Sequence, residues 1–122
     1  MIDEKSISLA VALNKETVRK NITWHVDDAP ENLTFGSNNI LQVIYWADYK
    51  NKRIVIYNHQ YRHYLDDVEW TWGDGIVLCI VTNDFKPIWK NEEQSQALRD
   101  LYASVTKQAA GFHELLGDLL NP

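Results

Sequence analysis

The sequence predicts an α+β fold: an N-terminal helix, an antiparallel meander of four to five strands, and a long C-terminal helix, all in one domain over residues 1–122. Three observations carry this. Apolar residues recur at helical spacing near both ends, the centre is dense in β-branched and aromatic residues, and tight reversals join its strand-like runs.

Residues 3–18 form the first expected helix. Asp3 is placed to cap it, Glu4 adds an acidic first turn, and Ile7, Ala10, Val11, Asn14 and Val18 share a face that Leu9 and Leu13 widen. So broad a stripe predicts that the helix lies on a sheet. Asn21 breaks it, and Ile22–Val26 alternates as a short strand. The stretch from Asp27 to Asn39 reads as loop, with a brief strand open to it around Leu33 and Phe35.

Ile40–Tyr49 and Arg53–Leu65 are the two strongest strand signals. Between them Tyr49-Lys50-Asn51-Lys52 suits a two-residue hairpin turn, since Asn51 tolerates the left-handed conformation. Trp70–Trp72 is extended, Gly73-Asp74-Gly75 is a turn or a bulge, and Ile76–Thr82 is a strand apolar on both faces. Phe85–Trp89 follows, with Pro87 fitting an edge strand. From Glu92 onward Leu98, Leu101, Tyr102, Val105, Ala109, Phe112, Leu115, Leu116 and Leu119 recur at helical spacing. An unbroken helix from Glu93 to Leu120 would be about 42 Å long. A domain of this size is only about 35 Å across, so the helix is expected to bend near Ala110-Gly111. The other outcome is that its end projects against a partner.

Composition narrows the function classes. A net charge of −5 argues against binding nucleic-acid phosphates. Lys15, Arg19 and Lys20 are accounted for as cations near a helix C-terminus. No apolar run approaches the ~20 residues of a membrane span, and the acidic start after Met1 predicts no secretory leader. The two glycosylation sequons, at Asn21 and Asn32, are therefore expected to be idle. Cys79, within Val77-Leu78-Cys79-Ile80-Val81, is expected to be a buried, inert thiol in a reducing, cytoplasmic setting. Five tryptophans and six tyrosines are more than one small core needs.

Tyr57-Asn58-His59-Gln60-Tyr61-Arg62-His63-Tyr64, Glu69-Trp70-Thr71-Trp72, Leu98-Arg99-Asp100-Leu101-Tyr102 and Ala109-Ala110-Gly111-Phe112-His113-Glu114-Leu115-Leu116 are distinctive together. Over residues 5–120 the chain resembles a group of small bacterial proteins carried on mobile elements such as integron gene cassettes. The resemblance implies the same helix–sheet–helix architecture and a bacterial cytoplasm. It implies no activity, cofactor or site residue.

Catalytic and metal readings fail on geometry. His59 and His63 have the spacing of a helical zinc pair, but on a strand a four-residue step is about 13 Å, too far to share an ion. The acidic stretch Asp66, Asp67, Glu69 and Asp74 lacks calcium-loop spacing and reads as a solvated loop. No serine sits on a strand-to-helix elbow and no glycines form a phosphate loop. No catalytic residue, metal or cofactor is therefore assigned.

What stands out is an aromatic strand face. A two-residue turn pairs Tyr49 with Lys52, so partners across the hairpin sum to 101. Leu41, Val43, Tyr45, Ala47, Ile54 and Ile56 then form the core side. Ile44, Trp46, Asp48, Arg53, Val55, Tyr57, His59, Tyr61 and His63 form the other, with Asp48 opposite Arg53. Trp46, Tyr57, His59, Tyr61 and His63 are the candidate binding residues, for a protein partner or a second copy of the chain, unless another element covers them. Two alternatives remain open: a small-molecule or enzymatic pocket between sheet and helices using His59, His63 and the acidic loop, and an immunity- or antitoxin-type protein.

Overall fold

The computed structural model describes residues 4–30, 43–92, 94–111 and 118–120, without the side chains of Gln60, Tyr61, Arg62 and Trp72. Helix α1 (Glu4–Val18) is followed by strands β1 (His25–Asp28), β2 (Val43–Tyr49), β3 (Lys52–Tyr64), β4 (Trp70–Val81) and β5 (Pro87–Asn91), then helix α2 (Gln96–Ala109). The five strands form one antiparallel sheet in sequential order. The α+β class and the element order are those the sequence predicts. Among the described residues no helix is long and apolar enough to cross a membrane.

The β2–β3 register is the one the turn dictates. Tyr49 pairs with Lys52 and Asp48 with Arg53. Lys50 and Asn51 both have positive φ, 50° and 65°, the signature of a type I′ turn whose twist matches the strands it joins. Arg53 Nε donates to Asp48 Oδ1 at 3.1 Å.

Several boundaries differ from expectation. The first strand starts at His25, not Ile22, because Ile22 and Trp24 turn inward into the helical core. Gly73-Asp74-Gly75 is neither turn nor bulge: these residues continue β4, paired with Tyr61, Gln60 and His59. The ladder to β3 holds the glycines extended despite their low strand propensity. The described C-terminal helix is also shorter than expected. It ends at Ala109, and Gly111 takes φ 64°, a left-handed residue just past the helix end. At ~21 Å the described helix is shorter than the domain is wide. Residues 118–120 form a further helical turn with Leu119 and Leu120 exposed. Asp3, Leu33, Phe35, Leu41 and Leu115 lie outside the described residues.

The buried face of α1 is rotated from its apolar stripe. Ser6, Ala10, Leu13 and Thr17 are buried, whereas Val11 and Val18 are exposed. Hydrogen bonding makes the rotation tolerable: the Thr17 hydroxyl donates to the Leu13 carbonyl at 2.7 Å and accepts the Trp24 indole N–H at 2.9 Å. Gln108 of α2 completes the join, accepting from Trp24 N at 2.8 Å and donating to Ile22 O at 2.8 Å. This core unites Ala10 and Leu13, Leu98, Leu101 and Val105 with the sheet residues Ala47, Ile54, Ile56 and Leu78. A second core lies on the opposite sheet face, formed by Ile44, Val55, Tyr57, Val77, Cys79 and Val81, with Ala29, Trp46 and Phe85 packed against it.

Candidate functional site

The second core decides the fate of the aromatic face. Tyr57 is 3% exposed, so it is a core residue and offers no surface. Its hydroxyl is 3.9 Å from Cys79 Sγ, and burial holds the phenol well above its ordinary pKa. Burial likewise pushes the Cys79 thiol up to about 11, which suits the inert role expected of it.

Trp46 is committed to the fold in a different way. Its indole N–H donates to Asp27 Oδ2 at 2.6 Å, His25 lies against it at 4.5 Å, and Phe85 meets it edge-on at 5.9 Å. The Arg53 guanidinium sits 4.4 Å from the Trp46 ring and 5.2 Å from that of Phe85 while bonding Asp48 and the Asn83 carbonyl. This closed cluster ties β1 and the β4–β5 loop to the centre of the sheet. Neither Trp46 nor Tyr57 therefore belongs to an open aromatic face. Strand alternation put them on one side, but it carries no information about what lies above that side.

The other candidates lie further along β3. His59 is half-buried, 6.4 Å from the Tyr57 ring, and its imidazole reaches over the bare Cα of its partner Gly75. Tyr61 pairs through its backbone with Gly73, and its side chain lies outside the described residues. His63 is exposed. All three share the parity of Val55 and Tyr57, the sheet side away from the helices, so His59 and His63 do not line a space between sheet and helices.

Sequence reasoning passed over the part of this ribbon that does face solvent. β2 pairs with β3 only as far as Ile56, and β5 pairs with β4 only as far as Leu78. Beyond that, among the described residues, β3 and β4 run on with no flanking strand to the Tyr64–Trp70 pair. Gln94 closes the first exposed rung of β4: its amide accepts from Ile76 N at 3.1 Å and donates to Ile76 O at 2.9 Å, replacing a strand neighbour. At the far end Tyr64, Leu65, Val68 and Trp70 are 57%, 64%, 83% and 40% exposed. Four large apolar side chains at one hairpin end form a patch, not scattered surface residues.

The turn holding them is ordered. Asp66 Oδ1 accepts from Val68 N at 2.8 Å and Glu69 N at 2.7 Å, and Leu65 N donates to Glu69 O at 2.9 Å. Those two backbone donors hold the Asp66 carboxyl below its usual pKa. Asp66, Asp67 and Glu69 thus put three exposed carboxylates in the same turn as Leu65 and Val68. The signal available in the sequence was the insertion of Leu65 and Val68 into an otherwise acidic loop.

Compared with protein-family models, curated proteins and solved structures, the chain matches none.

Proposed function

We propose that this domain is a non-catalytic protein-interaction module whose contact surface is the outer end of the β3–β4 ribbon. The observation that carries the reading is the exposure of Tyr64, Leu65, Val68 and Trp70 on an ordered acidic turn, in a sheet whose proximal half is buried on both faces. A preformed turn loses little freedom on binding, which favours association through a small patch. His59 and His63 lie on the same strand as Tyr64, on the opposite face of the ribbon, and Trp46 and Tyr57 belong to the fold.

The segment resemblance supports a bacterial, cytoplasmic protein of the mobile-element type as part of the same proposal. The immunity-type alternative gains from one feature, the carboxylates of Asp66, Asp67 and Glu69, which suit a basic partner.

A photo-crosslinking residue at position 68 of the full chain tests the surface. Irradiation of cells or of purified protein is expected to give a covalent adduct with a protein. The same residue at position 107, on the exposed side of α2, is expected to give none. Absence of any adduct from position 68 in both settings would overturn the reading.

A further inference from the structure

The ribbon end has a complement on the same molecule. A shallow groove of ≈ 350 Å³ lies beside α1, lined by Ile7, Val11, Ala12, Lys15, Glu16 and Tyr49, with Ser8. Its floor is aliphatic and aromatic, and Val11 is half exposed in it. Its rim is cationic. Lys15 lines it, the Lys50 ammonium stands 5.3 Å over the Tyr49 ring, and Glu16 is offset by Arg19 at 3.8 Å. The volume is at the small end of ligand pockets, enough for a leucine- and valine-sized pair.

The ribbon end offers that pair, Leu65 and Val68, interleaved in the turn with the exposed carboxylates of Asp66, Asp67 and Glu69. Apolar surface would meet apolar surface, and Asp66, Asp67 and Glu69 would meet Lys15 and Lys50. One copy cannot make this contact with itself. Tyr49 adjoins the β2–β3 turn at one end of β3 and Leu65 follows the other end, so the two sites are separated by the 13-residue strand, roughly 40 Å.

We infer that the partner of the ribbon end is a second copy of this chain, which receives Leu65 and Val68 in the groove between α1 and Tyr49. The inference rests on the ribbon end being the contact surface. A single insertion leaves the pair one free ribbon end and one free groove, so assembly continues as an open chain or closes as a ring, of which a reciprocal two-fold pair is the smallest. The contact is small, so association is expected to be weak and to depend on concentration.

Light scattering on purified protein tests this. The wild-type mass should rise above 14.2 kDa with concentration and fall back as salt is raised from about 50 to about 500 mM. Val68→Asp should disable the ribbon end and Val11→Glu the groove, each leaving a monomer with unchanged circular dichroism; Leu65→Ser and Lys15→Glu serve as second variants at the same sites. The decisive sample is the equimolar mixture of the two variants. One copy still has a groove and the other a ribbon end, so the mixture should reach twice 14.2 kDa and stop there. A wild-type monomer up to about 1 mM, or a mixture that stays monomeric or grows beyond a dimer, overturns the inference. A position-68 crosslink in cells to a protein of another mass, with none in the purified protein, would overturn self-association while leaving the contact surface standing. No crosslink in either setting removes both.

Discussion

The two halves of the β3–β4 ribbon both carry apolar side chains but have opposite surroundings. In the proximal half, from Arg53–Val81 to Ile56–Leu78, β2 and β5 flank the pair and both faces are buried. In the distal half aliphatic residues are sparse and His59, His63, Gly73, Asp74 and Gly75 take their place, yet Tyr64, Leu65, Val68 and Trp70 stand in solvent. The difference teaches that aromatic density on a strand does not by itself mark a contact surface. Coverage does, and here it changes within one continuous strand.

The contrast can be broken most forcefully through stability. Leu78→Ala, at a site with no exposure in the helical core, should cost about 2–5 kcal/mol in urea denaturation. Val68→Ala should stay within about 0.5 kcal/mol. Comparable losses at the two positions would mean that the ribbon end is packed.

A smaller effect concerns pH. Burial raises the folded-state pKa values of Cys79 and Tyr57 above those of the unfolded chain. The unfolded chain therefore ionises first as pH rises. Stability from the neutral thiol is fully present below pH about 9 and is lost as pH climbs towards about 11. Urea midpoints should fall over that window, and Cys79→Ala with Tyr57→Phe should flatten the decline. An equally steep decline in the double variant would place the alkaline sensitivity elsewhere.

The smallest effect sharpens the distal half. Asp66→Ala removes the acceptor of the Val68 and Glu69 amides, so hydrogen exchange at those two amides should accelerate with no change in the urea midpoint. In the wild type at low pH the protection of those two amides, measured against their slower intrinsic exchange in acid, should fall likewise. The depressed carboxyl keeps its bonds above its unfolded pKa and gives them up as pH falls through its lower folded value.

Much of the fold was legible because local chemistry sets it. The Lys50-Asn51 turn dictated the pairing of Tyr49 with Lys52, and every β2–β3 partner follows from that one geometry. Three other features were not legible. The stripe of α1 turned because Thr17 found acceptor and donor partners in Leu13 and Trp24, which are remote from any periodicity argument. β4 ran through two glycines because its partner strand held them. Nor did alternation show which candidates the fold would cover: Trp46 and Tyr57 went to the fold, while His59 and His63 lie further along the ribbon.

The sequence alone determined the α+β class, the order of elements, the hairpin register and the buried character of Cys79, since these depend on residue spacing, turn conformation and aliphatic neighbours. Only the tertiary structure decided which aromatic residues were covered and where an apolar patch remained open. Those outcomes depend on Ala29, Phe85 and Gln94 arriving from distant parts of the chain. Alternation specifies the side on which a side chain emerges, and burial depends on what else comes to lie there.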